Sequence, residues 1–348
     1  MNNSDTVSKR KVTFIYPNRS FDAMISMMNL YGLGLENLLE RDDENPDYVI
    51  AANECFMSSK FYSLLKKYMH GSRDRIFILL SRECVEPDLN VFDYATTWNR
   101  KHIYPGRIIH NVPSIYGIPP NDFTREGAAK ILREAKGFCN FIYSHPSPAR
   151  DNFFHMLSGY KRVDSYGKCF NNTGTESTRG SQNWYDLSID IKKGYKFSIA
   201  MENASYSGYT SEKIITSLRA HTIPIYWGDP DITDFINPEA FINCNDYSSF
   251  NEVIEKVKEI DNNDDLWLDM VTKPLQTEEQ RQKTIDSVKD YRKFFADLFS
   301  RDINTAKRRP EGTVPDVYFE NFGCIELPFH AKIMRELKRI KRQIMPEK

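Results

Sequence analysis

The chain has 348 residues, too long for one ordinary core and suited to two domains on a prior of about 150 residues each. Its 47 basic and 48 acidic side chains leave a net charge of −1. That balance excludes a global field drawing it to nucleic acid or an acidic surface, so any anion site has to be local. Six cysteines, at 55, 84, 139, 169, 244 and 324, are scattered without a C-x-x-C pair, which excludes a zinc ribbon or a dense disulfide framework and points to a reducing compartment. No apolar stretch is long enough for a signal peptide or a membrane span, so a soluble or peripheral protein is expected.

In chain order, segments 12–16, 21–30, 48–51, 56–68 and 76–80 read strand, helix, strand, helix, strand. That alternation predicts a mostly parallel sheet with crossover helices. Strands at 91–96 and 108–112 follow, and then YGIPPN at 116–121 breaks the pattern with one glycine and two prolines. An N-terminal domain over 1–125 is the result. A second series opens with a strand at 138–143, a helix near 150–159 and a strand at 162–166. Residues 171–183, NNTGTESTRGSQN, hold no large apolar side chain and predict an exposed loop, either functional or simply mobile.

Segment 196–228, KFSIAMENASYSGYTSEKIITSLRAHTIPIYWG, carries the most information. Phe197, Ile199 and Met201 alternate with Ser198 and Ala200 until Glu202 and Asn203 stop the run, and Ile223, Ile225 and Trp227 repeat the pattern. Between them, Ile214, Ile215 and Leu218 form one apolar helical stripe that Thr210 or Ser211 can cap. Glu212 and Lys213 then fall in the first turn. Glutamate suits the positive end of the helix dipole and lysine does not, an effect of about 0.3–1 kcal/mol. A phosphate on the free N–H groups removes the mismatch; without one, Lys213 is a solvated surface lysine. Asn203, Tyr209, Glu212 and Lys213 crowd one strand-to-helix turn, the place where open α/β sheets bind ligands.

Two further helical stripes follow, one from Phe250 to Ile260 and one from Ile285 to Phe299, and they complete a second domain over 126–305. The tail, 306–348, ends in HAKIMRELKRIKRQIMPEK. There Ile333, Leu337, Ile340 and Ile344 line one face among lysines and arginines. Such a basic amphipathic helix can contact an anionic membrane through 330–345 or pack along a domain edge. Several motifs fail on inspection. Gly32-x-Gly34 lacks a third glycine and a preceding strand, and the acidic run at 261–265 lacks the glycine and glutamate of a calcium loop. Asp229 and Asp231 read as a proline turn rather than a metal–nucleotide pair.

Taken together, YKFSIAMEN (195–203), GYTSEK (208–213), AHTIPIYWG (220–228) and PEAFI (238–242) resemble the donor-binding signature of the α-1,3/4-fucosyltransferases, glycosyltransferase family 10. Residues 82–94, RECVEPDLNVFDY, are similar to the family's acceptor-side segment, and 137–150 to the start of its donor domain. The resemblance implies an α/β fold of two facing Rossmann-like domains, the GT-B arrangement, with GDP-fucose on the second domain and the acceptor on the first. It also implies an inverting reaction. Inversion requires in-line attack by an acceptor hydroxyl, so it needs a carboxylate base on one side and charge stabilisation for departing GDP on the other. By similarity Lys213 and Arg150 neutralise the diphosphate, Tyr209 and Asn203 hydrogen-bond it, and Glu212 holds the ribose or the fucose hydroxyls. Glu83, four residues before Pro87, is the expected general base, with Glu86 in reserve.

The family usually shows a smaller residue where Arg82 stands and a second acid where Val85 stands. The membrane anchor of animal relatives and the C-terminal heptad repeats of some bacterial relatives have no counterpart in this sequence, which implies a bacterial-type enzyme that is cytoplasmic or peripheral on the inner membrane. The expected reaction moves L-fucose from GDP-β-L-fucose to the 3-OH of GlcNAc in N-acetyllactosamine-like glycans or a lipopolysaccharide O-chain. Left open are an α-1,4 linkage, another GDP-sugar, or an inactive glycan-binding or membrane-surface protein of the same fold. The resemblance implies no required cofactor and no metal ligand, with stimulation by Mn2+ or Mg2+ through the nucleotide left open.

Overall fold

A strand covered on both faces needs an apolar side chain at every position. YVIAA at Tyr48–Ala52 and IFILL at Ile76–Leu80 meet that condition, and both are buried along their whole length. The computed structural model describes residues 9–16, 20–28, 32–52, 64–65, 67–69, 74–119, 123–175, 183–310, 312 and 317. Its first sheet contains β1 (Arg10–Ile15), β2 (Leu39–Arg41), β3 (Tyr48–Ala52), β4 (Ile76–Leu80), β5 (Tyr94–Thr97) and β6 (Ile108–His110). All pair in parallel in the order β2-β1-β3-β4-β5-β6. Tyr48 and Ile50 feed the core on one face, Val49 and Ala51 the core on the other.

The second sheet is built in the same way from β7 (Gly137–Phe141), β8 (Val163–Ser165), β9 (Tyr195–Met201), β10 (Ile223–Trp227) and β11 (Ile242–Asn243), in the order β11-β10-β9-β7-β8. Phe197, Ile199 and Met201 of β9 enter one core while Ala200 enters the other, as the alternation predicts. With α1 at Phe21–Met28, the helices around this sheet are α2 (Arg125–Arg133), α3 (Pro148–Ser158), α4 (Trp184–Lys192), α5 (Glu212–Arg219), α6 (Phe250–Asp261) and α7 (Asp264–Val271). The chain leaves β7 for β8 on one side and reaches β9 on the other. The topological switch point therefore lies between β7 and β9, and a crevice opens beyond their carboxyl ends.

The domain boundaries differ from the expected ones at both ends. The division at 125/126 would cut the first turn of α2, which packs on the second domain through Ala128 and the ion pair Arg125–Asp265. Phe123 already stacks on His221 there. At the other end, the chain goes back. Helix α8 (Glu278–Ser300) starts at a capping box of Thr277 and Gln280 beside the second domain. It then carries Val288, Tyr291, Phe295, Leu298 and Phe299 into the core of the first. The short α9 (Ile303–Ala306) stays there, with the Tyr94 hydroxyl donating to the Ala306 carbonyl. The stripe at 285–299 was legible as a helix, but its amphipathic pattern does not say which domain covers it.

Most of the helix expected at 56–68, part of the 171–183 loop and the basic amphipathic helix at 330–345 lie outside the described residues. Among the described residues no helix is long and apolar enough to cross a membrane.

Candidate active site

Both loops at the switch point carry residues singled out from the sequence. The loop after β7 enters α3, whose third residue is Arg150, and the loop after β9 runs from Glu202 to the start of α5. Arg150 is 1% exposed and joins the two loops: Nη1 donates to Asn203 Oδ1 (3.0 Å) and Nη2 to the His145 carbonyl (2.5 Å). Its guanidinium lies 3.9 Å from the centre of the Tyr143 ring. The Tyr143 hydroxyl in turn accepts from Met201 N–H (2.8 Å), which ties that ring to the end of β9. Arg150 Nε is buried with no hydrogen-bond partner among the described residues. An unsatisfied donor on a buried cation is costly.

Ser211 caps α5, in an extended conformation with its hydroxyl accepting from Lys213 N–H. Glu212 and Lys213 thus occupy the first turn, as expected. What offsets the ill-placed lysine is Glu202, whose carboxylate is fully buried. It accepts from Lys213 Nζ (2.9 Å) and from the Ser211 amide and hydroxyl (both 2.8 Å). Burial alone would lower the Lys213 ammonium, but Glu202, assisted by Glu212, outweighs it and raises the pKa, so Lys213 is a fixed positive charge. Sequence reasoning read Glu202 only as the end of a strand. The signal was there in the Glu-Asn pair followed nine residues later by Ser-Glu-Lys, but nothing in the spacing says that the glutamate turns inward.

The second domain's 203–211 loop is clasped by the first domain. Gly208, at φ 76°, lies so close to Trp98 that a Cβ would come within 2.0 Å of the Trp98 carbonyl oxygen. The Ser114 hydroxyl donates to the Thr210 carbonyl, and the Trp98 and Tyr209 rings meet edge to face at 5.6 Å. Behind the loop, Asp229 accepts from Gly208 N–H (2.7 Å), the Thr210 hydroxyl (2.9 Å) and Asp231 N–H (2.9 Å), while Asp231 accepts from the Ser207 hydroxyl. These two acids brace the loop, in keeping with the proline-turn reading.

The two candidate bases part here. Glu83 follows β4 and is exposed, with Oε2 accepting from the Tyr209 hydroxyl at 3.0 Å. It faces a cleft of about 480 Å³ that Trp98 lines from the first domain and Trp184, Tyr185, Tyr209 and Glu212 from the second. Glu86 is committed elsewhere: Tyr206 and Asn99 donate to Oε1 and His102 bonds Oε2. Partial burial raises the Glu86 carboxyl, yet these three partners together hold it below its ordinary value. Such a carboxylate is a weak proton acceptor, whereas Glu83 lines the open cleft. Tyr209 was expected at the diphosphate; in the structure its hydroxyl donates to Glu83 Oε2. Burial first, and the carboxylates of Glu202 and Glu83 after it, push that phenol up, so it stays a donor.

Residues 134–295 match the family model described as glycosyltransferase family 10 (fucosyltransferase), C-terminal. An α-(1,3)-fucosyltransferase of Helicobacter pylori is 27% identical over 249 residues, 62% of this chain and 50% of that protein. The human GDP-fucose protein O-fucosyltransferase 3 is 29% identical over 218 residues, 59% of this chain and 44% of its own. The chain thus spans half or less of the length of these curated relatives. A crystal structure of an α1,3-fucosyltransferase superposes with a TM-score of 0.66 at 22% identity, covering 90% of this chain and 95% of the other. The shared architecture is two parallel-sheet domains facing across a cleft, the GT-B arrangement.

Proposed function

With a second domain that carries the family 10 fucosyltransferase match over residues 134–295, we propose that this protein transfers L-fucose from GDP-β-L-fucose to a hydroxyl of an acceptor glycan, with inversion. The observation that carries the reading is the pairing of two chemistries across one cleft. On the second domain, Arg150 and Lys213 stand at the switch point beside a helix N-terminus, a setting for a diphosphate. On the first, Glu83 is held by a phenol from the opposite domain.

In this mechanism the acceptor hydroxyl passes its proton to Glu83 as its oxygen bonds to the fucose anomeric carbon. On the far side the bond from that carbon to the diphosphate oxygen breaks. The charge that develops on GDP is met by Lys213, Arg150 and the first N–H groups of α5, groups already oriented before reaction. In this reading Glu212, which lines the cleft at the same turn, holds ribose or fucose hydroxyls. Trp184 and Tyr185 offer rings to a pyranose in the same space. Because side chains and a helix terminus supply the positive charge, the reading asks for no protein-bound metal. N-acetyllactosamine, with fucose added at the 3-OH of its GlcNAc, is the proposed acceptor. A protein hydroxyl is the second acceptor class, favoured by the relative that is a protein O-fucosyltransferase.

The test is GDP release from GDP-fucose with N-acetyllactosamine, with a folded protein acceptor and with neither, followed by NMR of the product linkage. Release that needs the glycan and yields an α-1,3 linkage is expected. Binding of the donor without release under any condition would replace the enzyme by a binding protein of the same fold.

A further inference from the structure

Lys192 is the last residue of α4 and is 5% exposed, yet among the described residues no carboxylate lies within ion-pair distance of its ammonium group. Its donors go to three neutral acceptors, all on α5: the Lys213 carbonyl (3.1 Å), Thr216 Oγ1 (2.6 Å) and Ser217 Oγ (3.0 Å). A buried cation without a counter-ion is a costly way to join two helices that an apolar contact would join as well. The polar line continues inward. Ser217 Oγ is 3.0 Å from Ser198 Oγ, which donates to Asn140 Oδ1 at 2.9 Å. It therefore reaches β9 and β7, the two strands whose ends carry Asn203 and lead to Arg150.

We propose that Lys192 is a positioning residue of the donor site: it fixes the first turn of α5, with Glu212 and Lys213, against α4, with Trp184 and Tyr185, so that two walls of the cleft are held in register. The inference rests on the reading of Lys213 as a diphosphate-binding residue. Lys192 acts through the Lys213 main chain. Burial pushes its ammonium down to about 7; Glu212 and Glu202 raise it and Lys213 lowers it, as smaller effects. The other charged groups nearby have partners of their own. Asp190 in the last turn of α4 and Lys193 just after it pair with each other at 2.7 Å, and Lys136, just before β7, donates to the Ile191 carbonyl.

The group therefore titrates near neutrality, and an anion bound at the first turn of α5, whose Lys213 carbonyl it contacts, favours the charged form. Donor binding then takes up a proton, so affinity is highest below pH 7 and declines as pH rises through it. The effect on folding has its own sign. The folded value lies below the ordinary 10.5, so the unfolded chain binds more protons between the two values and stability from this group rises with pH across that window.

The experiment is calorimetric titration of the intact protein with GDP-fucose, whose diphosphate is a diester of constant charge, from about pH 6 to about pH 8.5. Wild type should bind several-fold more weakly at the alkaline end. Lys192→Met should bind about tenfold more weakly than wild type at the acid end and lose the pH dependence. A Lys192→Met protein with wild-type affinity and a wild-type pH profile overturns the inference and leaves the donor reading intact. Absence of binding to wild type overturns the donor reading and this inference with it. Should Lys192→Met not fold, Thr216→Val removes one acceptor only: about threefold weaker binding with a flattened profile is expected, and an unchanged profile again overturns the inference.

Discussion

Glu202 and Glu83 are both glutamates within reach of a candidate donor-site residue, and the structure gives them opposite work. Glu202 is fully buried and pairs with Lys213, which is itself 17% exposed. Removing one partner of a buried pair leaves an uncompensated charge, a loss of about 3–5 kcal/mol. Glu202→Gln keeps the shape and the acceptor oxygen, so the lower end, about 3 kcal/mol, is expected. A shift of the urea midpoint at unchanged m checks it. Donor affinity should fall as well, because Lys213 loses the group that aims it. Glu83→Gln should do neither. Its side chain is exposed and its amide still accepts from Tyr209, so stability and GDP-fucose binding stay close to wild type while turnover drops by about 100-fold or more. Single-turnover kinetics at saturating donor separate the two variants, and near-normal turnover in Glu83→Gln would remove it as the base.

Between residues and domains stands the 203–211 loop, an element without regular structure that the first domain grips from above and Asp229 braces from below. Gly208 is the point of closest approach, at a positive φ and with the Trp98 carbonyl where a Cβ would go. Gly208→Ala has to bend the loop or part the domains. It should cost about 1–3 kcal/mol from backbone strain alone and lower turnover further by moving Tyr209 away from Glu83. A melting curve and steady-state rates on one preparation would show both; wild-type values would mean that the loop is not clamped.

Much of this element was legible beforehand. The strand, the cap, the first-turn position of Lys213 and the run of residue types were all readable, because period-2 and period-3.6 patterns are local. Glu202 as counter-ion, Tyr209 as the partner of Glu83 and Trp184 as a cleft wall were not, because each depends on which loops meet across the sheet or across the cleft. Helix α4 escaped notice because it follows a polar run and has only Ile189 and Lys192 buried. Strands β2 and β11 are three and two residues long, too short to show a period.

For the whole molecule, α8 makes the two domains one construction. Its first turns touch the second domain, where Gln280 Nε2 donates to the Thr233 carbonyl (2.8 Å) and Lys283 pairs with Asp234 (3.2 Å). Its last turns complete the first domain's core, and its end and the segment after it are fastened too: Arg10 donates to the Phe299 and Arg301 carbonyls, and Asp93 accepts from Arg308 and Arg309 N–H. The first domain is therefore unfinished until residues near 300 are in place, although its sheet ends at His110. Phe295 tests this. It is 0% exposed and packs against Tyr291 and Phe299 with ring centres at 4.9 and 6.0 Å. Phe295→Ala should cost about 3–5 kcal/mol. Hydrogen exchange should locate that loss in β3, β4 and β5, far away in sequence, while β7 and β9 keep their protection. Protection lost instead from 195–227 would return α8 to the second domain and restore a boundary near 305.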